Sequence, residues 1–240
     1  MVILAPPGIF SAFIGVLAAW GLYEIKQMTS ASPPQSLILF TVGFASTITL
    51  LLSGRGPWLP PCIVLAAMVI LVIQIGRGAG VSHGTGFMML GALWVGVLFP
   101  YFAFLRNAPE GTRLTILMLL LVVATDSGAY FVGRQVGRLK LLPKVSPNKT
   151  IEGAAGGLGA CIIAALILWM PLASDFSVTQ VSLLALAIGI LSQLGDLANS
   201  AYKRVAKVKD SGWIFPGHGG LLDRTCSLVF AAVLTYYYVH

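Results

Sequence analysis

The stretch Ser200–Ser227, SAYKRVAKVKDSGWIFPGHGGLLDRTCS, decides how the rest of the chain is read. It gathers Lys203, Arg204, Lys207, Lys209, Asp210, His218, Asp223 and Arg224 between two long apolar segments, in a protein where charged residues are only 10% of the total. Asp196, just upstream in LSQLGDLANS, and Asp223 both lie in stretches that otherwise read as membrane helix. A carboxylate at membrane depth is costly and marks a functional site by default.

Outward from that stretch the chain is apolar. Of its 240 residues 57% are hydrophobic, too many for a soluble domain of ordinary make-up. Hydrophobic runs near 8–25, 36–53, 59–75, 87–105, 114–133, 153–173, 180–202 and 221–239 approach or reach the roughly 20 residues that cross a bilayer as a helix. The alternating ten-residue segments of a membrane β-barrel are missing. The expectation is an all-α, polytopic integral membrane protein of about eight transmembrane helices forming one domain, with residues 1–113 as N-terminal helices and 114–240 carrying the chemistry. A short apolar stub precedes Pro6–Pro7, so an earlier helix is expected to be missing. Cys62, Cys161 and Cys226 have no CxxC spacing and point to neither zinc nor a disulfide framework.

Basic residues set the orientation. Arg134, Arg138, Lys140, Lys144 and Lys149 fall in one link, Lys203, Arg204, Lys207 and Lys209 in another, and Asp175 alone in the link between them. The positive-inside bias puts both basic links in the cytoplasm. Asp126, Asp196 and Asp223, three of the eight acidic residues, then fall toward the cytoplasmic ends of three apolar helices and suggest a polar cavity open to that side. Asp196, Asn199, Ser200 and Lys203 follow i, i+3, i+4 and i+7 and share one helix face. Hard oxygen ligands of this kind suit Mg²⁺, which takes one or two carboxylates and leaves positions for water and substrate phosphate.

Two loops offer phosphate contacts. In KVSPNKTIEGAAGG, Thr150 is placed to cap a helix starting near Ile151, with Ser146, Asn148 and Lys149 as donors beside its N-terminus. In PGHGGLLDR, Gly217, Gly219 and Gly220 free the backbone to bend just before a helix whose N–H groups are expected to face the site of Asp223. The bland alternatives are structural ion pairs for the acids and lipid headgroup contacts for the basic loops. Taken together, the two loops and the acids read as a metal-dependent polyphosphate site. Nucleic acid is not an expected partner, since no soluble module presents a basic face.

The run from Ser200 to Arg224 closely resembles the motif of phosphatidate cytidylyltransferases, also called CDP-diacylglycerol synthases: S-x-x-K-R, K-D, then P-x-H-G-G closing on D-R-x-D. DSGAYFVGR and SPNKTIEG are similar to further family segments, in the expected order. One position departs: Cys226 stands where the family has its last Asp, and a thiol is a poor ligand for Mg²⁺. The resemblance implies that CTP and phosphatidic acid give CDP-diacylglycerol and pyrophosphate. It implies Asp196 and Asp223 as cation ligands, with Asp126 as a further cation or ribose contact. Lys203, Arg204, Lys209, Lys149 and Ser146 are implied for phosphate contacts, with Ser200, Gly219 and Gly220 in the nucleotide site. His218 and Arg224 are expected near the leaving pyrophosphate, and Asp210, beside Lys209, is implied to hold a lysine or a second cation besides Mg²⁺. The implied location is a plasma or inner membrane with the site facing the cytoplasm; a homodimer is left open. The rival readings are a secondary transporter, which tends to hold its charges at the midplane, and a cytidylyltransferase acting on another lipid.

Overall fold

The computed structural model describes residues 5–29, 33–53, 85–214 and 219–239. Among these the elements are α1 (Pro7–Thr29), α2 (Pro33–Ser53), α3 (Thr85–Leu98), α4 (Pro100–Asn107), α5 (Gly111–Val136), β1 (Lys140–Leu142), β2 (Ser146–Thr150), α6 (Ile151–Ala173), α7 (Val178–Val205) and α8 (Leu222–Val239). Five spans among the described residues are long and apolar enough to cross a membrane: α1, the α3–α4 run from Gly86 to Asn107, α5, α6 and α7. The helix expected at 59–75 lies outside the described residues.

Two expectations change. The helix read over 87–105 is broken before Pro100, which sits at the first turn of α4. Proline has no N–H to donate and its ring crowds the preceding turn, so one membrane span becomes two helical pieces. The helical reading holds for the bundle, and the change is local: the basic link holds an antiparallel hairpin with Lys140 opposite Thr150 and Leu142 opposite Ser146. Val145 anchors its turn: the side chain is fully buried, and its N–H donates to the Leu142 carbonyl at 3.0 Å.

Small residues bring α5 and α6 together. A Cβ on Gly128 would lie 2.4 Å from the Ala160 Cβ, one on Gly153 2.8 Å from the Ala129 carbonyl, and one on Gly157 2.8 Å from the Thr125 carbonyl. Between helices in lipid no hydrophobic drive is available, so close backbone approach and dispersion hold the pair. The far side of α6 exposes Ile163, Ile167 and Met170, as a lipid-facing surface should. On α7, Ser177 and Gln180 form a reciprocal cap, Gln180 N–H to Ser177 Oγ at 3.2 Å and Ser177 N–H to Gln180 Oε1 at 2.8 Å. At its other end Lys207 takes a left-handed conformation (φ 56°) and the Val208 N–H donates to the Lys203 carbonyl at 3.0 Å, which stops the helix. Tyr202, fully buried, stacks on Phe87 at 4.0 Å and donates its hydroxyl to the Phe87 carbonyl, tying α7 to α3.

Candidate active site

The site forms where α5, the hairpin, α6 and α7 meet. Thr150 ends β2 and caps α6, its Oγ1 accepting the Gly153 N–H at 3.1 Å, as its place before Ile151 leads one to expect. That cap fixes the hairpin and directs Lys149 across to α7, where its Nζ pairs with Asp196 Oδ2 at 2.5 Å. A cavity of about 460 Å³ surrounds this pair, lined by Asp126, Tyr130 and Arg134 of α5, Asn148 of β2, and Gln193 of α7 among others. Gln193 Nε2 donates to the Ala154 carbonyl at 3.1 Å and closes the cavity between α6 and α7. Asp196 and Lys149 keep 39% and 27% of their side-chain surface accessible, so both can be reached by a solute.

Three residues further along α7 the setting changes. Asp223, in the first turn of α8, takes five donors. Its Oδ1 accepts Lys203 Nζ at 2.5 Å and Asn199 Nδ2 at 3.0 Å. Its Oδ2 accepts the Ser211 N–H at 2.8 Å, the Ser211 hydroxyl at 3.0 Å and the Gly220 N–H at 3.1 Å. Gly219 has φ +80°, and a Cβ there would stand 2.6 Å from Asp223 Oδ2, so only glycine fits this turn. The α7 face read from sequence is therefore divided: Asp196 serves the cavity while Asn199 and Lys203 serve Asp223. Cys226 joins the two, its Sγ donating to Asp196 Oδ1 at 3.6 Å from the second turn of α8.

The remaining expected residues are placed as follows. Arg204 donates Nε to the Val145 carbonyl at 3.1 Å and so braces the hairpin. Ser146 opens β2 and Ser200 lies on α7, both half-buried and neither lining the cavity. Lys209 and Asp210 are exposed on the link after α7, and Arg224 is exposed in the first turn of α8. His218 lies outside the described residues. The helix N-termini are occupied by the protein itself: the Ile151 N–H donates to the Leu139 carbonyl at 2.9 Å, and the amides opening α8 turn to a carboxylate of α1.

That carboxylate is Glu24, which the sequence reading passed over. It is 2% exposed and accepts the Leu221 N–H at 2.7 Å and the Leu222 N–H at 2.9 Å. Its signal was present, since Glu24 follows Trp20 by one turn within an apolar helix, and an acid so placed satisfies the rule applied to Asp126 and Asp196. Among the described residues no group of three or more His, Cys, Asp or Glu is placed to hold a metal. The carboxylates that line the cavity are Asp126 and Asp196; apart from them, Asn199 Oδ1 is buried with no hydrogen-bond partner among the described residues.

Acids, a lysine and a basic hairpin surround one cavity in an apolar helical bundle, and comparison with known proteins supplies the class. The model of the cytidylyltransferase family matches residues 1–240, the whole chain. A phosphatidate cytidylyltransferase of Bacillus subtilis is 42% identical over 153 residues, covering 63% of this chain and 57% of that protein. Proteins of the same name from Staphylococcus epidermidis and Staphylococcus aureus are 36% and 33% identical over 231 residues, covering 94% of this chain and 86% of theirs. The chain belongs to the cytidylyltransferase family and is a nucleotidyltransferase enzyme.

Proposed function

We infer that this protein transfers the cytidylyl group of CTP to phosphatidic acid, giving CDP-diacylglycerol and pyrophosphate for phospholipid biosynthesis. The observation that carries the reading is the cavity in which Asp126, Lys149 and Asp196 meet, in a chain similar along 94% of its length to a protein named for that reaction. A phosphate oxygen of phosphatidic acid attacks the α-phosphorus of CTP; the new P–O bond forms as the bond to the β-phosphate breaks and pyrophosphate leaves. The nucleophile is already an anion near neutral pH, so orientation and charge stabilisation carry the rate.

The donor set fits Mg²⁺, a hard cation that is content with one or two carboxylates and completes its shell from water and phosphate. Asp196 and Asp126, which line the cavity, would hold it; when bound it would neutralise charge on the CTP phosphates. Asp223 enters such a set only by exchanging Lys203. Lys149 releases Asp196 when a substrate phosphate takes its ammonium, and Arg134 and Asn148 line the same cavity for further phosphate oxygens. The exposed Arg138 before the hairpin and Lys140 and Lys144 within it support, by the positive-inside bias, a reading in which this end of the bundle faces the cytoplasm, where CTP is dissolved and the lipid headgroup lies.

The test is transfer of label from radiolabelled CTP to a lipid-soluble product by purified protein with phosphatidic acid and Mg²⁺, beside a Cys226→Asp variant. Product from both establishes the reaction and makes the acid at 226 dispensable. Product from the variant alone shows that Cys226 silences an otherwise complete site. Product from neither, in folded protein, overturns the reading.

A further inference from the structure

Glu24 comes from α1, far in sequence from the motifs of the reaction, yet its carboxylate meets the segment that carries Asp223. Four donors reach it: Trp20 Nε1 at 3.2 Å and the Leu221 N–H at 2.7 Å on Oε1, the Leu222 N–H at 2.9 Å and the Ser211 hydroxyl at 2.9 Å on Oε2. A buried carboxylate persists only where its lone pairs find such donors. Two of the four, Ser211 and Leu221, lie in the link from α7 to α8 and a third, Leu222, opens α8, so that what Glu24 organises is this link and its exit.

The link packs directly on the carboxylate. A Cβ on Gly212 would stand 2.7 Å from Glu24 Oε1, and one on Gly220 2.6 Å from both Glu24 oxygens. Ser211 couples the two acids: its hydroxyl lies 2.9 Å from Glu24 Oε2 and 3.0 Å from Asp223 Oδ2, while its N–H donates to Asp223 Oδ2 at 2.8 Å. A hydroxyl has one proton and serves one carboxylate at a time. Glu24 and Asp223 therefore hold the same residue, Ser211.

We propose that Glu24 is a positioning residue for cytidylyl transfer: from α1 it clamps Ser211, Leu221 and Leu222 and thereby sets Asp223 with its partners Lys203 and Asn199. The proposal rests on the cytidylyltransferase reading. It assigns the N-terminal helices a part in the chemistry that none of the motif residues gives them.

The experiment measures kcat and KM for CTP and for phosphatidic acid, in detergent micelles, for the wild type, Glu24→Gln, Ser211→Ala and the double variant, with a melting temperature for each. Glutamine is not a neutral replacement, because both Glu24 oxygens accept backbone N–H groups and an amide nitrogen in either place confronts a donor with a donor. Glu24→Gln is expected to lower kcat about a hundred-fold while either KM changes by less than about three-fold, since a small misplacement is felt in the transition state. The double variant is expected to lose less than the product of the two single losses, because both act through one contact. If Glu24→Gln does not fold, Gly212→Ala carries the test: it keeps the charge, presses a methyl group on Oε1, and should still lower kcat at a near-wild-type melting temperature. An active wild type with kcat unchanged in the folded variant overturns the positioning role alone. A wild type that makes no lipid product overturns the underlying reading, and the proposal with it.

Discussion

Asp196 of α7 and Asp223 of α8 both lie within reach of Cys226, and each pairs with one lysine at 2.5 Å, yet their surroundings have little in common. Asp196 meets Lys149 and the weak S–H donor of Cys226, and 39% of its side chain remains open to the cavity. Asp223 is 11% exposed and bound by four donors from α7, the link and its own turn, with the Ser211 hydroxyl as a fifth that it shares with Glu24. An ion pair that a solute can reach is exchangeable, and its lysine is available to a phosphate. An enclosed one with all its lone pairs filled holds three segments in register. Two acids of one stretch thus sit in contrasting settings, one open to the cavity and one enclosed.

Four substitutions sharpen or break that division, taken from the largest expected effect. Asp196→Asn should cut transfer about a thousand-fold, by removing charge aimed at the phosphates. It should cost less than about 1 kcal/mol in stability, because the pair is partly open to solvent. A large fall in melting temperature would make Asp196 an arranging group like its neighbour. Asp223→Asn should do the reverse in emphasis: with Lys203 left unpaired at 16% exposure, the loss is about 3 kcal/mol, read as early melting, and activity falls with the fold. A stable but inactive Asp223→Asn protein would move Asp223 to the chemistry.

The third change tests the wall of the cavity rather than its charges. Gly153→Val places bulk where even a Cβ is 2.8 Å from the Ala129 carbonyl and 2.9 Å from Thr150 Oγ1. Parting α5 from α6 there should cost about 2 kcal/mol, as overpacking generally does, and raise KM for CTP. The smallest effect is expected far from the site, at Arg113, which pairs with Asp175 at 2.7 Å where 61% of the aspartate is exposed. Arg113→Ala should change melting by less than about 1 kcal/mol and leave kcat as it is.

Much of this was legible along the chain. Thr150 before Ile151 specifies a helix cap because a hydroxyl at that position meets the third amide beyond it, and it does. The spacing of Asp196, Asn199 and Lys203 specifies one face of α7, since helix geometry fixes which side chains stack. The hairpin was not legible: five residues of Ser-Pro-Asn-Lys-Thr have no alternating apolar pattern, and they pair because Val145 is buried and Arg204 reaches its carbonyl from another helix. The α8 amides were expected at the polar site, but nothing local to PGHGGLLDR announces that Glu24 will take them.

Composition and periodicity by themselves determined that this chain is a bundle of apolar helices, that its basic links mark one end, and that acids gather there. Those are properties of single helices and of the solvent around them. Tertiary structure alone decided that Lys149 belongs to Asp196, Lys203 to Asp223, and Glu24 to the start of α8. Each of those pairings joins residues 20 to nearly 200 positions apart, and a side chain's choice among several possible partners depends on how the helices pack, which no short window of sequence contains.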